Sequence, residues 1–348
     1  MNGIVQRLTV AALLIGLASH CTETAWAGGN KPRHPKQVCL VVDTDVGTDD
    51  FRALAVLIPH LDLRAVVVTE GIASVPRGST AIALFLASGQ SLAPVLPGLA
   101  ATAPPTYDWL PSARAAAERI NNFVRESVSF ASSPNRLNIA LSDAVKGCER
   151  VDVLVLGPWS SFVQYAPVLR PLIHRVVVSG RPVAENKPDN FNCVYDQAAC
   201  DKASKLLARI PSAVWVDLPA DGKSYPPTQA MVDQLAGAGT PGLLRAALNA
   251  DPSRWLGTRL WDDAAALYVV APEHFQANGT HFEPVIDEEA LRNALVKAIN
   301  ATPADRPIAT PSTSNAVQSS NGVTTNNALT GGTTSNHHAP SKHSQTTR

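Results

Sequence analysis

Four carboxylates fall within eight residues in the segment Val41-Val42-Asp43-Thr44-Asp45-Val46-Gly47-Thr48-Asp49-Asp50. Asp43 and Asp45 are two apart at the end of an apolar run, so on extended backbone both carboxylates leave from one side. Gly47 permits a tight turn. Asp49 and Asp50 then open a helix, where the peptide dipoles favour negative charge. Either of these two alone would be an ordinary helix cap. Four acids packed together repel unless some keep their protons or a cation compensates them. A hard divalent cation with oxygen ligands, Ca²⁺ or Mg²⁺, fits that set.

The elements around this cluster alternate. Apolar, Val-rich strands are expected at Val38–Val42, Leu63–Thr69, Val151–Leu156, His174–Ser179 and Ala213–Asp217. Helical patterns cover Phe51–Ile58, Arg77–Ser88, Ser112–Val128, Gln197–Leu207, Gln229–Leu248 and Asp262–Val270, with another helix between Leu156 and His174. Continuous apolar strands separated by helices predict an α/β fold: a single three-layer domain with a mostly parallel, Rossmann-like open sheet and helices on both faces. The binding crevice of such a sheet lies at the carboxyl ends of its strands, where the acidic cluster falls.

Composition narrows the function classes. The chain of 348 residues balances 29 Lys and Arg against 29 Asp and Glu, which argues against a nucleic-acid partner held by an overall positive field. Beyond the first residues no apolar run reaches the roughly 18 needed to span a bilayer. Residues 1–27 read as a signal peptide: Arg7, the apolar stretch Leu8–Ala18, then Ala25-Trp26-Ala27 before the cut. The expected organisation is that signal peptide, a linker over 28–35, the folded domain over 36–302 and a Ser/Thr/Asn-rich disordered tail over 303–348. The mature protein is thus expected to be exported, periplasmic or secreted. Export permits disulfides among Cys39, Cys148, Cys193 and Cys200. Cys39, inside an apolar strand, reads as a plain buried thiol, Cys193 and Cys200 could bridge a loop to a helix, and the pairing stays open. Asn278-Gly279-Thr280 matches the glycosylation acceptor pattern, a chance match if the export signal is bacterial.

The segment DTDVGTDD resembles the DTDxGxDD signature of the inosine–uridine-preferring nucleoside hydrolases. Leu63–Gly71, Val153–Ser179, Phe191–Ala199 (FNCVYDQAA) and Leu260–Val269 (LWDDAAALYV) are similar to further stretches of that family, in the same order. The resemblance runs from Lys36 to about Pro272 and implies calcium-dependent hydrolysis of the N-glycosidic bond of a ribonucleoside or related N-riboside. It implies Ca²⁺ held by Asp45, Asp50, Asp262 and the main-chain carbonyl of Ser160, with Asp43 behind them orienting a ligand. Asp45 would take the proton of the attacking water. Asp49 and Asn192 would hold ribose hydroxyls, with Asn190 and Trp261 also placed on the substrate. The resemblance allows a homo-oligomer.

Several positions depart from the family pattern. Ile72 follows Gly71 where the family has Asn, Asn190 stands for its Glu, and Trp261 stands for a His that in some members protonates the leaving base. Trp261 could stack on a purine or be core, and Trp159 could shape the pocket or pack inside. Two other readings fit part of the pattern. An exported nucleoside- or sugar-binding protein on the same fold would keep the metal without turnover. A haloacid-dehalogenase-type phosphatase would match Asp43 and Asp45 but expects Thr where Gly47 stands, and gives Asp49 and Asp50 no role.

Overall fold

The computed structural model describes residues 38–119, 133–182, 190–221 and 223–302. The expected signal peptide, the linker, the end of the helix predicted to reach Val128 and the tail beyond Thr302 lie outside them.

Eight strands form one sheet in the order β3-β2-β1-β4-β5-β6-β8-β7. They are β1 (Val38–Thr44), β2 (Leu63–Val68), β3 (Val95–Pro97), β4 (Arg150–Val155), β5 (Ile173–Ser179), β6 (Ala213–Val216), β7 (Phe275–Asn278) and β8 (His281–Pro284). Every pairing is parallel except β7 with β8. From β1 the chain first steps outward to β2 and β3, then returns to place β4, β5 and β6 on the other side. The order therefore reverses between β1 and β4, and the connections diverging there open a crevice at the strands' carboxyl ends.

Alternation along β1 divides the core. Leu40 and Val42 join a cluster that includes α1 (Thr48–Leu57), α2 (Val75–Ser88), α9 (Gly239–Ala250), α10 (Trp261–Val270) and α11 (Glu288–Ile299). Cys39 and Val41 join the opposite cluster, with α4 (Pro134–Ala144), α5 (Phe162–Leu169) and α7 (Gln197–Leu207). The two clusters make the three layers expected of buried parallel strands. α8 (Gln229–Asp233) adds Met231 and Val232 to the first cluster, α6 (Phe191–Val194) adds Cys193 to the second, and Leu110 of α3 (Leu110–Arg119) packs with Ala101 and Tyr195.

Several elements differ from the sequence expectation. The helical pattern over Gln229–Leu248 divides into α8 and α9, because Gly239 adopts φ +64° and Pro241 follows it. Three short strands differ from the expectation. One is β3, inside the Pro-rich passage. The others are β7 and β8, a hairpin whose two turn residues are Gly279 and Thr280, with Gly279 at φ +64° opening the turn, in a stretch whose sequence signal is a glycosylation pattern. Cys39 is not a free thiol: it pairs with Cys148, 109 residues away, fastening β1 to the segment before β4. Cys193 pairs with Cys200 and ties α6 to α7. Trp159 is core, packed edge-on against Phe162. No described helix is long and apolar enough to cross a membrane.

Candidate functional site

The end of β1 sends three successive side chains to three different places. Asp43 continues the Cys39–Val41 face and is buried against the α5 layer, where Tyr165 donates to its Oδ2 at 2.9 Å and Thr69 to its Oδ1 at 2.5 Å. Thr44 faces the other layer, and its hydroxyl donates to the Asp50 carboxylate at the start of α1. Asp45 lies past the strand end. Its Oδ2 accepts the Ile72 amide at 3.1 Å, and its carboxyl is in hydrogen-bond range of Asp50. Space around Asp45 is closed on two sides by glycines. A Cβ on Gly157 would lie 2.8 Å from the Asp45 Cβ, and one on Gly71 would collide with its carboxylate. Both strand-end glycines are therefore required by close approach.

Val46 links Asp45 to α1 with φ +66°, a conformation that β-branched residues rarely adopt. This strain, on the order of 1–3 kcal/mol, turns the chain sharply enough for Asp50 to accept the Gly47 amide at 2.6 Å and still face Asp45. Asp262 comes from the first turn of α10, a helix buried from Asp262 through Tyr268. It accepts a bond from Ser179 at the end of β5 and is in hydrogen-bond range of Asp50.

Carboxylate oxygens of Asp49, Asp50 and Asp262 all lie within 4.8 Å of one another. Two oxygens held by one Ca²⁺ at about 2.4 Å can be no more than about 4.8 Å apart, so the set fits a single hard cation. Electrostatics agree. Burial, then the charges of Asp50 and Asp49, hold the Asp45 carboxyl well above the usual carboxylate range. Burial, then Asp49 and Asp50, do the same to Asp262. Burial and Asp50 push Asp49 up to about 7, opposed by Arg52. Asp50 is raised by burial but relieved by its bonds from Thr44 and Gly47. Acids this close coexist only by keeping protons between them or by sharing a cation.

The other expected residues have local partners of their own. The Ser160 hydroxyl donates to Asp196 Oδ2 at 2.5 Å, and Asp196 caps α7. The Asn192 amide donates to the Leu156 carbonyl at 2.6 Å, which places α6 against the end of β4. Asn190 caps α6, its side chain accepting from the Cys193 amide at 3.1 Å. Trp261 begins α10 with 41% of its surface exposed, and the Arg259 guanidinium lies 5.3 Å over its ring. An aromatic group beside α6, Tyr107, Trp109, Phe191 and Tyr195, has ring centroids 5.1–5.7 Å apart.

Sequence reasoning missed the groups that hold the acids. Arg114 of α3 donates to the carbonyls of Gly71 and Ile72, both at 2.9 Å, and so fixes the turn whose amide binds Asp45. Arg52 of α1 meets Asp263 of α10 in a fully buried ion pair. A signal for that pair existed: each is a lone charge in a run that otherwise reads as core, Phe51–Leu57 and Asp263–Val270. Thr69 and Tyr165 carried none, since each fits its strand or helix without a site.

Sheet order and the crevice at the strands' carboxyl ends belong to an α/β fold that solved nucleoside hydrolase structures share. An inosine–guanosine nucleoside hydrolase matches with TM-score 0.57 at 14% identity, covering 76% of this chain and 99% of its own. The inosine–uridine-preferring nucleoside hydrolase of Bacillus anthracis matches with TM-score 0.53 at 13% identity, over 76% of this chain and 100% of its own. The type III effector XopQ, solved in complex with adenosine diphosphate ribose, matches with TM-score 0.51 at 12% identity, over 79% and 95%. No family profile and no curated protein sequence matches this chain.

Proposed function

We propose that this protein is a calcium-dependent N-glycoside hydrolase that cleaves a ribonucleoside or related N-riboside to ribose and free base. The observation that carries the reading is the convergence of Asp45, Asp49, Asp50 and Asp262 at the carboxyl ends of the strands beside the sheet's reversal point. Asp49, Asp50 and Asp262 would hold the cation, with Asp45 beside them and the Ser160 carbonyl as the further protein donor the family resemblance implies. When bound, Ca²⁺ would orient ribose hydroxyls and lower the pKa of a coordinated water. Asp45, held by the Ile72 amide, would accept that water's proton. Asn192 would position ribose hydroxyls, Asn190 and Trp261 would border the substrate, and the buried floor of the crevice would exclude bulk water.

The experiment is release of reducing sugar from a nucleoside panel, with calcium and with EDTA. Chelator-sensitive release that disappears in Asp45→Asn supports the reading, and release unaffected by both would sink it. One observation favours a second reading, a nucleoside- or sugar-binding protein without turnover. Asn190 and Asn192 are both engaged in local structure, as a helix cap and as a donor to Leu156. Calorimetric binding of a nucleoside with no sugar release would establish it. We also propose that the chain is exported, with cleavage after Ala27. The two disulfides support an oxidising compartment, and N-terminal sequencing of the mature protein checks it.

A further inference from the structure

The two helices that supply the acids are joined behind them by a charge pair with no contact to solvent. Arg52 Nε lies 2.8 Å from Asp263 Oδ1 and Arg52 Nη2 lies 2.9 Å from Asp263 Oδ2, with both side chains fully buried. Arg52 Nη2 also donates to the Arg259 carbonyl at 3.2 Å, and the Thr258 hydroxyl is 3.5 Å from both terminal nitrogens. One guanidinium therefore fixes both the first turn of α10 and the segment that leads into it. Asp263 directly follows Asp262, while Arg52 is two residues beyond Asp50 and one helical turn from Asp49. Asp49 and Asp50 belong to one helix, Asp262 to the other, and their oxygens must sit within 4.8 Å.

We infer that the Arg52–Asp263 pair is a positioning device for the cation site: it locks α1 and α10 in the one register in which their N-terminal carboxylates converge. The pair is neutral as a whole, so it sets this geometry without adding net charge to the cluster. Packing alone would hold the helices together, since α1 and α10 share the apolar cluster above. Apolar side chains tolerate small slides and rotations, whereas a two-pronged Arg–carboxylate contact does not. A buried ion pair contributes little net stability over an apolar pair of similar volume, which makes a geometric role separable from a folding role. Groups that orient ligands from behind typically set metal affinity by about 10–100-fold.

The inference rests on the reading of the acidic cluster as a cation site, and calcium titration calorimetry of the full chain separates the two. In the double variant Arg52→Met/Asp263→Leu, melting in EDTA should stay close to that of the wild type, while the calcium Kd weakens at least 10-fold. Where the apolar pair fails to fold, Arg52→Lys carries the test. It keeps the charge but loses the fork, and its Kd should weaken several-fold. A Kd within about twofold of the wild type, in a variant that melts normally, overturns the inference and leaves the cation site standing. A wild-type chain that takes up no calcium overturns both.

Discussion

Chelated protein should lose stability as pH rises from about 5 to 8, and calcium should restore it only at the upper end. Asp43 sets the scale, because burial raises its carboxyl from 3.8 to about 7 despite the bonds from Thr69 and Tyr165. That is roughly a thousandfold gain in proton affinity, or about 4 kcal/mol as an upper bound before the site relaxes. A proton held more tightly in the folded chain stabilises it fully below about 3.9, the unfolded value, and this contribution is lost as pH climbs through about 7. Asp45, Asp49 and Asp262, raised by burial and by one another, act in the same direction. For a domain of this size about 1 kcal/mol moves Tm by 2–4 °C, so the metal-free Tm should fall by on the order of 10 °C across the window. Calcium needs the carboxylates deprotonated. At a hundred times Kd it would add about 2.7 kcal/mol at pH 8, roughly 5–10 °C, and close to nothing at pH 5. Differential scanning fluorimetry at pH 5, 6, 7 and 8, with EDTA or excess calcium, measures both trends. Asp43→Asn is the internal control: it should flatten part of the metal-free slope and leave the calcium increment in place. A metal-free Tm that rises over this range, or a calcium increment equal at pH 5 and 8, would refute the reasoning.

Other perturbations test separate parts of the arrangement. Asp50→Ala and Asp262→Ala should each lose bound calcium by elemental analysis, and unchanged stoichiometry would remove them as ligands. Gly157→Ala places a methyl 2.8 Å from the Asp45 Cβ. It should cut sugar release at least 10-fold with a smaller effect on folding, and wild-type kcat would show that Asp45 can move aside. Opening the Cys39–Cys148 bridge by a double Ser substitution should cost up to about 5 kcal/mol in denaturant unfolding, because the loop it closes is 109 residues long. Opening Cys193–Cys200, 7 residues apart, should cost about 2 kcal/mol; equal costs would argue against the loop-entropy account.

Much of the fold could be read along the chain because its signals are local. Val-rich strands such as Val38–Val42 and Leu63–Thr69 are apolar on both faces, and only a sheet covered on both sides buries them. The elements missed were those whose burial depends on distant partners. The strand Val95–Pro97 is three residues long and pairs only where β2 already stands. The hairpin of β7 and β8 joins the sheet through a single register pair, Val216 with Phe282. The helix break at Gly239 comes from a backbone angle of φ +64° there, while the apolar periodicity continues on either side of it. Cys39 was read as a buried thiol because a sequence cannot bring Cys148 to it, whereas the register of Cys39 beside Val151 puts the two segments side by side.

From the residues alone it follows that four acids cluster after the first strand, that a glycine allows the turn between them, and that their charge demands protons or a cation. Those are consequences of residue type and short spacing. Which acids come together depends on the fold. It sent Asp43 to Tyr165 and Thr69 in the opposite layer, and brought Asp262 across more than 200 residues to Asp49 and Asp50. Likewise, Arg52 and Asp263 read as isolated charges in apolar runs until the packing of α1 on α10 made them partners. A carboxylate's role is set by the charges and donors within a few ångströms, and in a parallel sheet those neighbours are distant in sequence.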